Sequence, residues 1–449
     1  MRKIIAAFTL CVLLMAQPVR AQSLLRDAET ESLLNDMSKP LIIAAGLSPK
    51  DVRIVLLQDS SINAFVAGGQ TVYIHSGLIA VADNTNQIQG VIAHELGHVA
   101  DGHVVLQSDG AKPAIGIALL SLVIGIAALA AGAGDAGAGI IAAGQQAAQG
   151  KFLAFTRVQE ATADASAARY LDQSGISGKG FLAFFKKLQN QEYRYGYTNI
   201  DPYAQSHPLS GERVATLSQT LQSSASWNTR GDPSLDDRLK RIQAKLEGYI
   251  EEPTRTLRDY PLSDRSVYAH YARAYAYHKG GYPDKADAET EALVRAAPHD
   301  PYFLEIRGQI LLEAGKPREA LVPLREATVV SNYQPLIATT FGHALIATED
   351  KTHYAEAEKV LRQAVARDDD NPFAWFQLGT VYELQGDQAR ALLATAERAS
   401  LTGDPRTAAV SARGAMQALP PNSVDWIRAQ DIALASQNEI DDSKGKRRR

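Results

Sequence analysis

The spacing of apolar residues in the first hundred positions predicts a small sheet set among helices. Residues 22–46 carry leucines and a methionine at intervals that favour a helix. Two short apolar runs, Val52–Leu57 and Gln70–Ile74, predict strands, with a turn at Gly68–Gly69 between them. The mostly apolar run Val91–Ala100 then predicts a second helix.

Beyond about residue 266, small and apolar residues recur at a fixed period. Gly308 and Gly342 are 34 positions apart, and so are Gly281 and Gly315. Small residues at this period let two helices approach closely, which is typical of tetratricopeptide repeats. The sequence predicts four repeats, with room for a further helix pair as far as about residue 435. Such an array buries a continuous core and offers a concave surface to partners. A generic helical solenoid is the alternative.

The first 21 residues have the three parts of a secretory signal. Arg2 and Lys3 precede 12 residues, Ile4–Met15, that form an apolar run too short to span a membrane. Ala21 supplies the small residue before the predicted cleavage site. The only cysteine, Cys11, lies inside this signal, so the mature chain would contain no disulfide. The sequence therefore predicts an exported protein.

Changes in pattern and composition divide the chain into five segments. The signal peptide occupies residues 1–21 and a first folded domain occupies 22–225. Residues 226–265 are interpreted as a linker and a polar helix, because Ser, Gly and Pro cluster where they begin. The repeats fill 266–435, and a basic tail, 436–449, is predicted to be disordered.

Composition and charge narrow the function only slightly. Hydrophobic residues make up 45% of the 449-residue chain and charged residues 21%, which is ordinary for a globular protein. The formal net charge of −4 gives no support to binding of nucleic acid. Any catalytic or binding function must therefore be inferred from individual side chains and their spacing.

The predicted helix at Val91–Ala100 contains the pattern His-Glu-x-x-His. His94 and His98 are four positions apart, so on a helix they share one face and can hold one Zn²⁺. Glu95 beside them can reach a water that the metal activates. The alternative is an amphipathic core helix with two half-buried histidines. Its apolar surroundings make that alternative costly unless the polar groups have a partner such as a metal.

A catalytic zinc usually has three protein ligands and leaves one position for water. Asp101 and Val104 exclude the metzincin arrangement, which has Gly and His at those positions. His103 is off the required spacing, and we interpret it as exposed to solvent or in contact with a ligand. Glu160 is the better candidate for the third ligand, and Asp164 could accept a hydrogen bond that orients a ligand histidine. The alternative for this pair is a solvated helix face.

Four segments together resemble the gluzincin metalloproteases of the HtpX and CAAX-prenyl-protease family. They lie within about residues 60–217. In order, they are Asn63-Ala64-Phe65 with Val72–Leu78, then His94–His98, then Glu160–Asp164, and finally Ser206-His207-Pro208 with Arg213. The resemblance implies an α+β zincin-like domain, mostly helical with a small sheet and one zinc per chain. An all-α tetratricopeptide solenoid would follow it.

The resemblance also implies roles for residues outside the zinc helix. The edge strand with Asn63, Phe65 and Tyr73 would bind a peptide substrate by adding it as another strand. A plain sheet edge is the alternative. His207 and Arg213 would lie near the zinc as candidate donors to the oxyanion. His207 could instead act as a fourth ligand that displaces the water, and the sequence leaves both roles open.

The uncharged run Ala114–Gly134 is 21 residues long, which is enough for a transmembrane helix. A single crossing would put His98 and Glu160 on opposite sides of the membrane. A second crossing would have to fit into about residues 136–148, which are too few and include two glutamines. We therefore predict a helical hairpin, residues 114–148, that contacts a membrane surface or covers the active-site cleft. A buried core hairpin is the alternative.

With the signal and the repeats added, the chain is similar to periplasmic members of this protease family. That similarity implies a zinc endopeptidase that degrades stalled outer-membrane proteins and assists others during assembly. The repeat domain would bind these clients or the assembly machinery. A competing hypothesis is a chaperone or adaptor whose protease site is latent.

Overall fold

The computed structural model describes residues 23–130, 134–195, 207 and 210–447. The predicted signal peptide and most of the tyrosine-rich segment before His207 lie outside these ranges. The chain forms two compact units. One holds the residues up to Arg26 together with Glu31–Leu239, and the other holds Asp27–Thr30 together with everything from Lys240. The division at residue 239 falls within the segment that the sequence assigned to a linker and a helix.

The first unit contains a four-stranded sheet with the order β1-β2-β4-β3. Its strands are β1 Ser23–Leu25, β2 Arg53–Gln58, β3 Ala64–Ala67 and β4 Thr71–His75. β2 and β4 are parallel and the other two pairings are antiparallel. Gly68 and Gly69 join β3 to β4 with φ of 62° and 96°, values that glycine adopts without strain. The helix predicted over 22–46 is wrong at its start, because residues 23–25 pair with β2.

Eight helices are described between Ala28 and Ile250, and the last of them continues past the division of the two units. They are α1 Ala28–Ala44, α2 Ser76–Val81, α3 Thr85–Ala100, α4 His103–Ala130, α5 Gly134–Gln173, α6 Lys179–Tyr195, α7 Gly211–Gln222 and α8 Pro233–Ile250. The Asn84 side chain caps α3 by accepting a hydrogen bond from the backbone N–H of Gln87. Residues 85–98 of α3 are almost all buried, so this helix forms the centre of the unit.

The helical hairpin predicted at 114–148 is present as α4 and the first part of α5. α5 is one continuous helix of 40 residues, so the second arm of the hairpin leads directly into the turn that carries Glu160. Within the described residues, no helix is long and apolar enough to cross a membrane.

The second unit consists of helix pairs, as the repeat pattern predicted. After α9 Pro253–Asp259 they run α10 Val267–Lys279, α11 Pro283–Ala296, α12 Pro301–Glu313, α13 Pro317–Val330, α14 Pro335–Ala347, α15 Tyr354–Arg367, α16 Pro372–Gln385, α17 Gln388–Leu401, α18 Pro405–Ala418 and α19 Val424–Arg447. The last pair is the additional one that the sequence left room for. The tail predicted as disordered, 436–449, is instead helical as far as Arg447. Ala433 and Ser436 are buried, and this packing extends the helix into the tail.

Three glycines occupy the same position in successive repeats but differ in the space around them. A Cβ on Gly308 would lie 2.3 Å from Leu324 Cγ, and one on Gly342 would lie 2.5 Å from Leu361 Cγ. At Gly379 the nearest atom to a Cβ would be Ala394 Cβ, at an ordinary 3.4 Å. The requirement for glycine therefore depends on whether a leucine or an alanine faces it.

We expect Gly308→Ala to lower the free energy of unfolding by about 1–3 kcal/mol, because the added methyl group overlaps Leu324. The matched change Gly379→Ala should be neutral or stabilising by up to about 1 kcal/mol, since alanine favours a helix. Urea unfolding of the full mature chain measures both. Equal losses for the two variants would contradict the packing described here.

Candidate metal centre

The zinc helix predicted from His-Glu-x-x-His is α3, and it brings its two histidines together in the core. His94 and Glu95 are fully buried and His98 is nearly so. His94 Nε2 and His98 Nε2 lie 3.2 Å apart. Gly97 allows α5 to come close, because a Cβ there would be 3.0 Å from the backbone of Ala163. α5, the helix that carries Glu160, thus packs directly on α3.

Glu160 of α5 and His207 complete the group. The Glu160 carboxylate lies 3.4 Å from His94 Nε2 and 3.5 Å from His98 Nε2. His207 Nδ1 lies 3.3 Å from His94 Nε2 and 3.1 Å from Glu160 Oε1. One ligand atom from each of these four residues falls within 4.8 Å of all the others.

These distances can be tested against the size of a zinc ion. Four ligand atoms at about 2.0–2.1 Å from a tetrahedral metal are separated from one another by about 3.3–3.4 Å. With either oxygen of Glu160 as the ligand atom, four of the six separations in this group range from 3.1 to 3.5 Å. Imidazole nitrogens and a carboxylate oxygen are also the donors that zinc prefers. The residues present therefore fit Zn²⁺, with His94, His98, Glu160 and His207 as the group that would hold it.

Two further residues hold the ligands in place. Asp164 Oδ1 lies 3.0 Å from His94 Nδ1, where an acceptor can orient the ring. The Arg213 guanidinium donates two hydrogen bonds to Asp164, of 2.8 and 2.9 Å, and its third nitrogen lies 3.0 Å from Glu160 Oε2. Arg213 was considered as an oxyanion donor from the sequence. Its nitrogens are committed to these carboxylates, so its geometry suits positioning of the ligands instead.

His103 also contacts the metal group. Its Nδ1 lies 2.9 Å from His98 Nδ1, and the residue is buried. If His98 uses Nε2 for the metal, its proton is on Nδ1 and can be donated to His103 Nδ1. Of the two interpretations that the sequence left open, the structure favours contact with a ligand over exposure to solvent.

The electrostatics of the group favour a cation at its centre. Burial lowers the pKa of His94, but hydrogen bonds with Asp164 and Glu160 outweigh burial and raise it to about 10. Burial and the charge of His94 lower the pKa of His98 to about 2. Burial raises the pKa of Glu160, yet His207 and His94 hold it well below its usual value. The carboxylates that stabilise a proton on His94 would equally stabilise a metal ion there.

Glu95 differs from the ligands in having no direct hydrogen bond. Both of its carboxylate oxygens are buried without a hydrogen-bond partner among the described residues. His207 Nε2 lies 3.5 Å from Glu95 Oε1. Burial raises the pKa of the Glu95 carboxyl. A buried carboxyl with unused acceptors beside a metal group is suited to exchange a proton with a bound water.

Two of the three substrate-binding candidates, Phe65 and Tyr73, lie on the sheet, and Asn63 directly precedes β3. Phe65 and Tyr73 face each other across β3 and β4, with stacked rings 5.1 Å apart. The carbonyl of Asn63 accepts a hydrogen bond from the backbone N–H of His75. Ala64, Val72 and Ile74 occupy the buried face of the same strands. Phe65 and Tyr73 are partly exposed on the opposite face.

Sequence reasoning missed the contact between Arg213 and Glu160. Their separation along the chain gives no periodic signal, since α5 and α7 carry them independently. The residue types offered the only hint, because a buried carboxylate ligand and a buried arginine each need a partner.

The metal group and its helices can now be compared with known proteins. Residues 26–221 match the model of peptidase family M48. These residues form an M48 peptidase domain. The M48 domain and the helix pairs after it confirm the predicted fold class, an α+β metallopeptidase domain followed by an all-α repeat domain. The M48 match and the buried metal group also confirm the predicted zinc metallopeptidase.

Individual relatives extend this comparison over most of the chain. The beta-barrel assembly-enhancing protease of Yersinia pestis is 24% identical over 389 residues, which cover 85% of this chain and 78% of that protein. The metalloprotease LoiP of Escherichia coli (strain K12) is 31% identical over 172 residues, 37% of this chain and 60% of that protein. Among solved structures, YrrB, a TPR protein with an unusual peptide-binding site, is 20% identical with a TM-score of 0.32. That match covers 39% of this chain and 91% of YrrB.

We expect His103→Leu to weaken zinc binding about 10- to 100-fold, because His98 would lose the acceptor that orients its ring. His103→Asn keeps an acceptor near the position of Nδ1 and should retain most of the affinity. Competition with a chromogenic chelator measures zinc affinity independently of activity. Wild-type affinity in the leucine variant would show that the contact with His98 has no positioning role.

Proposed function

We propose that this chain is a periplasmic zinc endopeptidase that acts on outer-membrane proteins during their assembly. The observation that carries the peptidase role is the buried group of His94, His98, Glu160 and His207 beside an unbonded Glu95. The client class is inferred from the beta-barrel assembly-enhancing protease to which most of the chain is similar. Export through the predicted signal peptide supports the periplasm as its location.

The chain's own residues can be assigned to steps of peptide hydrolysis. Bound zinc supplies a Lewis acid that polarises the peptide carbonyl and activates water. Glu95 takes a proton from the attacking water and delivers it to the leaving amine. Asp164 lies beside His94 and Arg213 lies beside Glu160, and these contacts of 3.0 Å hold the two ligands in position. His207 and Arg213 are the two candidate donors to the oxyanion. His207 lies 3.5 Å from Glu95, so we assign this role to His207 rather than to Arg213.

The open edge of the sheet offers backbone groups to a peptide substrate. The hydrogen bond between Asn63 and His75 fixes which residues of β3 face β4. Alternation along an antiparallel strand then leaves the N–H and C=O of Ala64 and Val66 at the outer edge of the described sheet. A substrate strand would pair with these two residues, and Phe65 and Tyr73 would support the strand from its exposed face.

Partners other than the peptide substrate would bind the repeat domain and residues 114–148. The repeat domain would bind clients or the assembly machinery, because helix pairs of this kind present a continuous surface. Residues 114–148 would contact a membrane surface. Nucleic acid is not among the proposed partners, in keeping with the negative net charge.

A latent protease remains the second candidate, and one observation favours it. His207 Nδ1 lies at metal-ligand spacing from both His94 and Glu160. A fourth protein ligand would occupy the position that a catalytic zinc keeps for water. The protein would then act mainly as a chaperone or adaptor until His207 is displaced.

Zinc content and proteolysis of two variants test the peptidase assignment. Purified mature protein should hold one zinc per chain. Glu160→Ala should lose zinc occupancy, because it removes a ligand. Glu95→Gln should keep the metal and lose casein cleavage, because the amide cannot accept the proton. Full zinc and full activity in Glu160→Ala would refute the assigned third ligand. Survival of all cellular function in Glu95→Gln would favour the chaperone.

A separate variant distinguishes the two roles of His207. As a blocking ligand, His207 lowers the fraction of active enzyme, so His207→Ala should raise cleavage of casein or of the protein itself. As an oxyanion donor, it stabilises the transition state, so the same change should lower turnover by about 10²–10³. We expect the increase, because the Nδ1 distances match those of a ligand. Turnover well below wild type with unchanged zinc content would assign the residue to catalysis.

A further inference from the structure

In the hairpin of α4 and α5, α4 exposes large aliphatic side chains on all of its outward faces. We call residues 112–130 and 134–151 the arm. On α4 the exposed fractions reach 62% at Leu120 and 65% at Val123, and exposed positions follow one another without a polar stripe between them. They are Ile115, Ile117, Leu119, Leu120, Leu122, Val123, Ile124 and Ile126. An exposed apolar surface of this extent on a soluble protein marks an interaction site.

Small residues line the contact between the two helices of the arm. A Cβ on Gly144 would lie 1.9 Å from Ser121 Oγ, and a Cβ on Gly125 would lie 2.3 Å from Ile141 Cγ1. The helices therefore approach too closely for larger side chains at these positions. This packing resembles that of helix pairs in lipid, where small residues form the interface and large aliphatic residues point outward.

The charges of the arm lie at its two ends. Asp135, at the far end, is the one charged residue in the sequence between Lys112 and Lys151. Ser121 faces Gly144, so antiparallel pairing puts Lys112 and Lys151 at the same level, where the arm joins the rest of the unit. Both lysines are exposed. The uncharged part of α4 beyond Lys112 is about 27 Å long, at a rise of 1.5 Å per residue.

We propose that the arm inserts its aliphatic side chains into the surface of an anionic phospholipid membrane. Lys112 and Lys151 lie at the level of the phosphates, where their aliphatic stems stay in the apolar layer and their ammonium groups meet the headgroups. This inference rests on the proposed function for the membrane as a partner, and it adds the lipid class and the contacting residues.

Two observations favour lipid over a protein partner. A protein interface has an apolar centre surrounded by a polar rim that carries hydrogen bonds. In the described part of the arm, α4 exposes aliphatic residues on all of its outward faces, and the exposed polar side chains Gln145, Gln146 and Gln149 lie on α5. The two lysines are confined to one level. A fluid acyl layer can cover all those faces at once, whereas a folded partner covers one.

Vesicle flotation of the full mature protein tests the proposal. The protein should float with vesicles of phosphatidylglycerol and phosphatidylethanolamine, and more weakly with phosphatidylcholine. Leu120→Ser combined with Val123→Ser should lower the bound fraction about tenfold or more, because apolar area is lost from the acyl layer. Val322→Ser and Val424→Ser are matched controls, since these valines are 69% and 82% exposed in the second unit. The controls should float like wild type.

The lysines and the depth of insertion have their own measurements. Lys112→Gln and Lys151→Gln should each weaken binding to the anionic vesicles about fivefold, and added salt should reduce the difference. Alkaline carbonate should release the protein from native membranes, because the arm does not cross the bilayer. Retention after this wash would overturn the surface insertion.

Other outcomes would assign the arm to a different occupant. Equal, salt-independent binding to both kinds of vesicle would overturn the anionic preference. Absence of flotation, together with self-association that Leu120→Ser and Val123→Ser abolish, would assign the arm to a second copy of the chain. Casein cleavage without vesicles is measured in the same preparations. It should be unchanged in the arm variants. If the wild-type protein cleaves casein but does not float with vesicles, this proposal is overturned and the peptidase assignment stands.

Discussion

The buried carboxylates at the centre of the first unit require a compensating positive charge, and the rest of the unit depends on this requirement. Three imidazoles and a carboxylate are buried with their ligand atoms within 4.8 Å of one another, and Asp164 lies directly behind His94. Burying the ionised carboxylates of Glu160 and Asp164 side by side costs several kcal/mol per group unless a cation compensates their charge. The positive charge of Arg213 compensates part of this negative charge at the edge of the group. A zinc ion at the centre of the group would compensate the rest. The core of this unit therefore contains a buried group of metal-ligating side chains in addition to its apolar packing.

Three helices, α3, α5 and α7, meet at the metal group, and the position of each depends on a different local feature. α3 provides two ligands because His94 and His98 share one face, and α5 reaches them because Gly97 removes the side chain that would separate the helices. α7 is held at its start by Ser210, whose side chain accepts the backbone N–H of Arg213. That cap orients the first turn of α7 toward Asp164. A change in any of these contacts would act on the metal group through geometry.

Much of this arrangement could be predicted from the sequence, and the exceptions have physical causes. His94, Glu95 and His98 follow from one helical turn, and the repeat period predicts the helix pairs. The strand at residues 23–25 was missed because a strand of three residues depends on pairing with β2, which no local pattern encodes. The helix that continues through residue 436 depends on burial of Ser436 by tertiary packing. The contacts of Arg213 with Asp164 and Glu160 were missed because the partner of a buried cation is determined by helices distant in sequence.

His207 joins the metal group differently from the other three candidates, and this difference bears on control of the site. His94, His98 and Glu160 are fixed within long helices, whereas His207 lies between α6 and α7, where the chain is not part of a described helix or strand. Displacing a helical ligand would require unfolding part of the core. His207 approaches His94 and Glu160 through Nδ1. If another group took the place of His207, the other three candidates could stay in place, so the same fold can support a blocked and an open metal position. Glu95, 3.5 Å from His207 Nε2, would gain room for a water in the open form.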